Sequence, residues 1–477
     1  MKELWNLGIL QRILILLIFI SFLGITPLPH QVQSGFERVN QSIENNSPAG
    51  AAANLASIAE KLPWRSDLWE QAGNLALEGG DFQSAISYFE QAEALGTLSF
   101  DGFLSFGDAY ALSKNDSAAI QIWKEAEKNF GTSREATIRL VEIHRKNKDY
   151  PTLIENLKTL IEFQPSDSGL YNELGFLLAA YEPQSAPPYL IQANELDPKR
   201  SAARELSFAI QRALPYENPT YTLMASGQKL ADLGEWELAA LAFRNAVERQ
   251  PEYAESWAYL GESLQHLEKP LNENALETLE KAITLDPQSL PANTLLALYW
   301  QRQGYPERAL EYITVAAEIA PRNPNIQVDW AATVAMLGDL EAAESHYQDA
   351  VEITSQDPFY INQLVEFYLR YNIGVREKAL PLARQTLLRY PNDPISQDSF
   401  GQVLFRLDDL LDAEQFFTKA ILLQSNYAPA HLHLGVLYNL QRKHALAKYH
   451  LNQATRLAPG TATADHAQRI LDGYVNP

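Results

Sequence analysis

The chain has 477 residues, 46% of them hydrophobic, so it is too long for one ordinary domain and apolar enough for a continuous core. Lys plus Arg number 38 against 59 Asp plus Glu, and the resulting net charge of -21 repels polyanions, which argues against nucleic acid as a partner. Cysteine is absent, which removes disulfides, thiolate metal sites, iron–sulfur clusters and a cysteine nucleophile together.

The first element in chain order is "MKELWNLGILQRILILLIFISFLGITPLPH", in which Lys2 and Arg12 precede an apolar run from Ile13. Residues 1–30 read as a membrane-targeting segment, either an uncleaved anchor or a cleaved signal. The run to Leu28 is slightly short for a full span, and no A-x-A-like cleavage site follows it. Positive charge ahead of the run keeps the amino terminus in the cytoplasm and places the body on the far side of the membrane or exports it. Residues 31–50 are polar, with "VNQSIENNSPAG" reading as a flexible linker.

The rest is periodic. Gly73, Gly107, Val141 and Gly175 are spaced by 34 residues, and Gly227, Gly261, Ala297, Ala331, Val365, Gly401 and Gly435 continue at 34 or 36. Small residues keep step in a second ladder that includes Ala85, Ala119, Ala239, Ala309, Ala343, Ala379, Ala413 and Ala447. A third ladder follows seven residues later, and prolines such as Pro251, Pro287, Pro321 and Pro391 close many units. Each unit holds two helices too short to be stable alone. Small residues let the helix axes approach, and Phe89, Trp123, Phe243, Tyr347 and Phe417 fill the volume beside them. One such unit cannot cover its own apolar faces, whereas a stack can.

The stretches "SWAYLGESL" and "LAALAFRNAVERQP" carry the pattern W-x-x-L-G-x-x-Y…A-x-x-x-F…A…P, and the chain resembles the tetratricopeptide repeat from about Ser66 to Gly460. That resemblance implies an all-α superhelix, a solenoid of about 11 two-helix repeats preceded by an amino-terminal apolar helix. Three places break the period. "AAANLASIAEKL" from Ala51 has the spacing of a second helix alone. "SAARELSFAIQRAL" is a single surplus helix stopped by Pro215 and Pro219, and a lone polar helix after Pro459 reads as a closing cap. The expected organisation is an amino-terminal array over 51–200, an irregular helix and proline-rich break over 201–219, a carboxy-terminal array over 220–460, and a cap and tail over 461–477.

No phosphate-binding loop, nucleophile elbow, H-E-x-x-H or calcium loop is present. His431, His433, His444 and His450 concentrate in the last unit. Residues two apart on a helix point about 200° apart, so His431 and His433 do not serve one metal from one face. The carboxylates Asp408 and Asp409 read as a turn and a helix cap. No catalytic residue, cofactor or metal is therefore assigned.

The resemblance also implies a concave groove lined by the first helices, which takes an extended peptide or a partner helix. Its positions lie six and three before, and one and five after, each glycine slot. In the first two units these give Asp67, Glu70, Asn74 and Glu78, then Asp101 and Asp108, an acidic lining suited to a basic segment of a partner. In the second array they give Tyr221, Met224 and Gln228, then Glu255, Glu262 and His266, with Tyr259 beside them. The function expected is a non-catalytic protein–protein interaction scaffold in cell-envelope assembly or secretion. Its rivals are an enzyme with an unrecognised site in the concave surface and a protein that self-assembles as a homo-oligomer.

Overall fold

In this computed structural model the described residues are 29–96, 98–267 and 274–475, and they form 26 α-helices with no strand among them. The chain divides into two compact units, Met1–Leu170 and Tyr171–Pro477. The first contains His30–Glu44 and Pro48–Ala59, then the pairs Asp67–Glu78 with Phe82–Ala94, Phe100–Leu112 with Asp116–Phe130, and Arg134–Lys146 with Tyr150–Phe163. The cut falls in the first turn of Ser168–Tyr181, which pairs with Pro187–Leu196 in the second unit. The single helix Ser201–Ala213 follows, then seven pairs from Pro219–Asp232 to His444–Leu457, and the closing helix Ala462–Val475.

Within each repeat the spacing of small residues has a direct steric cause. A Cβ at Gly73 would lie 2.7 Å from the Phe89 ring, one at Gly227 2.7 Å from Phe243, and one at Gly401 2.7 Å from Phe417. The alanines of the second ladder are fully buried at 85, 119, 239, 309, 343, 379, 413 and 447. Five residues before each of these eight alanines the backbone turns left-handed, at Gly80, Lys114, Gly234, Gly304, Gly338, Gly374, Asp408 and Arg442. That conformation ends the first helix and reverses the chain. The next side chain then caps the second helix: Asp81, Asn115, Asp339 and Asp409 accept from the amides of Ser84, Ala118, Ala342 and Asp412. Asp408 and Asp409 thus supply the turn and the cap.

A second device ties neighbouring repeats of the second unit together. Four residues before the glycine slot, Trp257 Nε1 donates to the Pro251 carbonyl at 2.7 Å, Asn293 Nδ2 to that of Pro287 at 2.9 Å, and Gln327 Nε2 to that of Pro321 at 3.0 Å. Gln397 does the same to Pro391. Each bond satisfies the turn that leaves one repeat with a side chain from the next.

First helices of successive repeats pack on one another, while each second helix packs between the first helices that flank it in sequence. Each unit therefore curves with its first helices inside. In the second unit the curve returns to its start: a Cβ at Gly234 would lie 3.6 Å from Pro459 Cγ, and one at Gly460 would lie 2.9 Å from Trp236 Nε1.

The segment expected as a polar linker, 31–50, is instead largely helical. His30–Glu44 buries Val32, Gly35 and Val39 against Pro48–Ala59, with Ile58 over Gly35. The apolar residues recur at helical spacing, diluted by polar neighbours, so "AAANLASIAEKL" has a helical partner after all. The surplus helix 201–213 lies within the second unit and ends in a 3₁₀ turn and left-handed Glu217. All but the last two residues of the anchor or signal segment, 1–30, lie outside the described residues. Among the described helices none is long and apolar enough to cross a membrane.

Close approach predicts opposite signs for two glycine substitutions. A methyl at Gly107 overlaps the Trp123 indole, which is held by its bond to the Leu104 carbonyl, so Gly107→Ala should lower the thermal midpoint, by about 1–3 kcal/mol of stability. A methyl at Gly473, in the closing helix, meets nothing within 4 Å, so Gly473→Ala should raise stability by about 1 kcal/mol through helix propensity. Thermal melts followed by circular dichroism measure both.

Candidate functional site

The inner face of the first unit engages several of its own acids. Asp67 pairs with Arg65 at 2.8 Å, Glu70 accepts from the Ser99 amide at 2.8 Å and from its hydroxyl, and Asp108 takes a two-pronged bond from Arg139 at 2.7 and 2.8 Å. Asn74, Glu78 and Asp101 stand exposed. Glu70 and Asp108 thus join one repeat to the next.

In the second unit the predicted positions separate in the same way. Tyr221 is exposed and Met224 is buried with the Ser256 hydroxyl 3.3 Å from its sulfur. Gln228 is half-buried, Glu255 accepts from the Tyr253 hydroxyl at 2.7 Å, and Tyr259 stacks on Phe243. Glu262 is buried at the centre of a network. Arg302 donates to both of its oxygens at 2.8 Å, Gln265 to one at 3.0 Å, and the His266 ring lies 3.0 Å away while stacking on Trp236 at 3.7 Å. Burial raises the Glu262 carboxyl, but His266 and Arg302 outweigh it and hold the group below its ordinary value. At Asp329 the charge of Arg302 offsets only part of the effect of burial, which pushes the carboxyl up to about 7.

A larger convergence lies farther along, on the first helices Pro358–Tyr371, Pro394–Arg406 and Ala428–Leu440 and the closing helix. They surround a cleft of about 520 Å³ with Phe359, Asn362, Glu366, Gln402, Tyr427, His433 and His466 on its walls. His433 Nδ1 lies 2.8 Å from Oδ1 of Asp398, whose side chain is fully buried, and Gln402 Nε2 donates to the other carboxylate oxygen at 3.2 Å. Asn362 Nδ2 donates to Glu366 at 2.8 Å. Burial pulls the His433 imidazole down, but Asp398, with Glu366 behind it, outweighs that and leaves it above its ordinary value. Burial raises the Glu366 carboxyl, and His433 and Asn362 offset only part of it. Burial also raises the Tyr427 hydroxyl, and the nearby carboxylates add to the effect. The cleft therefore offers one protonation-prone carboxyl, one charge-stabilised imidazolium, amide donors and an aromatic rim, a mixed lining that can hold a polypeptide segment by several weak contacts.

These residues were reachable from the sequence. The rule of six and three before, and one and five after, the slot applied at Val365 and Gly401 gives Phe359, Asn362, Glu366, Arg370, Asp398 and Gln402. The slots at Gly73, Gly107, Gly227 and Gly261 do not reach them. His431 and His433 do point to different neighbours: His431 faces His450, with 3.0 Å between their Nδ1 atoms, and His433 faces Asp398. Among the described residues no three His, Asp or Glu side chains converge as a metal would need.

Comparison with known proteins bears on the repeat itself. The family model for the tetratricopeptide repeat matches residues 70–134 and 224–289. The chain carries tetratricopeptide repeats. The chain is 25% identical over 297 residues to the BBSome complex member BBS4 homolog of Drosophila melanogaster, covering 60% of this chain and 56% of that protein. It is 36% identical over 116 residues to the peroxisomal targeting signal receptor of Pichia angusta, covering 22% of this chain and 19% of the receptor. The chain thus spans 56% or less of the length of these curated relatives. The crystal structure of yeast Tom70 superposes with a TM-score of 0.42 at 14% identity, over 93% of this chain and 95% of Tom70.

Two histidines of the last tetratricopeptide repeats should report opposite pH dependences. His433 has a raised value, so its contribution to stability is full below about pH 6.5 and is lost as pH rises through that raised value. An NMR titration should find the His433 midpoint above 6.5 and find it lowered in Asp398→Asn. His450 is driven down to about 4 by burial and by His431, so the fold holds it neutral while the unfolded chain takes up a proton. Stability is therefore full above about pH 6.5 and falls as pH drops towards 4. His450→Gln should flatten that acid limb in thermal melts run as a pH series.

Proposed function

We propose that the protein is a non-catalytic scaffold that takes an extended segment of a partner protein along the inner face of its second unit. The observation that carries this reading is the cleft around Glu366, Gln402 and His433, where three successive first helices turn polar and aromatic side chains inward. The repeats support it, since surplus hydrogen-bonding capacity on a curved inner face suits a main chain laid across several repeats. The relatives named as targeting signal receptors are consistent with it. A basic partner segment at the first two repeats would meet Glu78 and Asp101, the acids left exposed there.

Residues 1–30 add a location to this reading. Lys2 and Arg12 ahead of an apolar run support a membrane-targeting segment that keeps the amino terminus in the cytoplasm and sends the repeats across, as a component of envelope assembly or secretion. Alkaline extraction of membranes separates a retained anchor from a cleaved signal.

A photo-cross-linking residue placed at Gln363, in the cleft wall, should capture a defined protein in cells, and the same residue at Glu311 on an outer helix should not. Phe359→Arg, which puts a charged chain at an exposed position of the cleft, should reduce the Gln363 adduct at least tenfold. Equal yields from both positions, or an adduct indifferent to Phe359→Arg, would overturn the assignment of the inner face.

A further inference from the structure

The outer helices change character abruptly towards the end of the second unit. Their solvent face follows the positions two before, and two, five and nine after, the buried alanine, a spacing of four, three and four that keeps to one side of a helix. At the slots of Ala309 and Ala343 these positions hold Glu307, Glu311 and Glu318, then Glu341 and Glu352, all exposed. At the slots of Ala379, Ala413 and Ala447 they hold Glu377, Arg384 and Leu388, then Leu411 and Leu422, then Tyr449 and Arg456, so glutamate persists at the first of these positions and is gone from the rest. Leu388 is 76% exposed, Leu411 71% and Leu422 80%. Leu411, Phe416, Thr418, Lys419 and Leu422 line one shallow depression on Leu410–Leu423, with Glu414 at its edge beside Lys443.

Charge changes with it. Between Glu414 and Asp465 the sequence contains no acid, yet it carries Lys419, Arg442, Lys443, Lys448 and Arg456, in a chain whose net charge is -21. Solvation explains isolated exposed leucines, but not Leu388, Leu411, Leu422 and Arg456 standing where the earlier outer helices hold glutamate.

We propose that the outer face of the last three repeats, built from Leu380–Arg389, Leu410–Leu423 and His444–Leu457, docks on an anionic lipid surface. Leucine and tyrosine side chains enter the boundary between headgroups and acyl chains, while Arg384, Lys419 and Arg456 meet the phosphates. Both parts of the face find their complement there. A second copy of this chain set face to face would cover the leucines but would bring its own Arg384, Lys419 and Arg456 against these cations. The rest of the acidic body is repelled from such a bilayer, so this end, where Asp412 and Glu414 are the only acids on the three helices, is the part that can approach it. The apolar run from Ile13 to Leu28 would bring the body within reach, but the face itself rests on exposure and charge and is independent of the peptide reading of the inner cleft.

The absence of cysteine makes a local test available. In the full chain, a single cysteine at Gln415 carries an environment-sensitive fluorophore, and a second protein carries it at Ser345, the matching position of an acidic repeat. Phosphatidylcholine vesicles with phosphatidylglycerol should shift the Gln415 reporter to the blue, and vesicles of phosphatidylcholine alone should not. A tether at the amino terminus brings both reporters to the vesicle, so the Ser345 reporter should stay unshifted. The shift should be reversed by salt and lost when Arg384, Lys419 and Arg456 are all changed to Glu, with circular dichroism confirming the fold of that variant. Equal shifts at both positions, equal shifts on neutral vesicles, or no shift would overturn the proposal. A shift without vesicles that grows with protein concentration would also overturn it and assign the face to a second copy.

Discussion

Everything in this fold depends on how closely two helices of one repeat can approach. A first helix that carries no side chain at its slot lets a ring from the second helix lie directly on its backbone, as Phe89 does at Gly73 and Phe243 at Gly227. The large side chain buries its area without widening the pair, and the buried alanines on the second helix serve the next contact in turn. Because each pair is narrow, the first helices of neighbouring repeats reach one another and the second helices are spread outward. Curvature follows from the slot, and an inner and an outer face follow from curvature.

A stack held only by apolar contact could slide. The second unit prevents this with polar bonds that recur at fixed positions. Trp257, Asn293, Gln327 and Gln397 each reach six residues back to the carbonyl that closes the preceding repeat. Donors of different shape do one job because the acceptor is backbone and its place is set by the turn. Glu262 adds a longer link, since Arg302 reaches it from the following repeat and His266 hands the contact to Trp236 near Gly460. A buried carboxylate held this way is costly to strip of its partner, by about 3–5 kcal/mol in comparable pairs, so the network fixes register more than it adds stability.

The periodic part of this architecture was legible in the sequence because its cause is local. A slot must be small where it faces a ring 16 residues later, as at Gly73, Gly107, Gly227 and Gly401, and that constraint recurs often enough to mark the period. Partners across repeats were not legible. Arg139 reaches Asp108 and Ser99 reaches Glu70 over about one repeat length, and nothing at those positions marks an acid as engaged rather than open to a ligand. The helix His30–Glu44 was hidden for another reason: its buried stripe is only Val32, Gly35 and Val39, too thin against a polar background to stand out from a linker. The return of Pro459 to Gly234 depends on small rotations summed over seven pairs, which no single stretch of residues encodes.

The same addition of small steps explains why the mixed cleft lies late in the unit. In the first repeats of the second array the inner positions are occupied by structural duties, with Met224 and Glu262 buried between helices. Past Ala331 the slot residue Val365 is larger than glycine, and the following second helix begins with a π-turn at Val375–Ala379. From there Asn362, Glu366 and Gln402 bond to one another and to Asp398 instead of to a neighbouring turn. Their hydrogen-bonding capacity is directed into the cleft, where the closing helix adds Ala462, Thr463 and His466 to the wall. Burial there is high enough to perturb Glu366, His433 and Tyr427, yet the space remains large enough to admit a chain. Enclosure without filling comes from the closing helix, which covers the last first helices with small and polar side chains, Ala462, Thr463 and His466, in place of the apolar stripe that another repeat would have packed there.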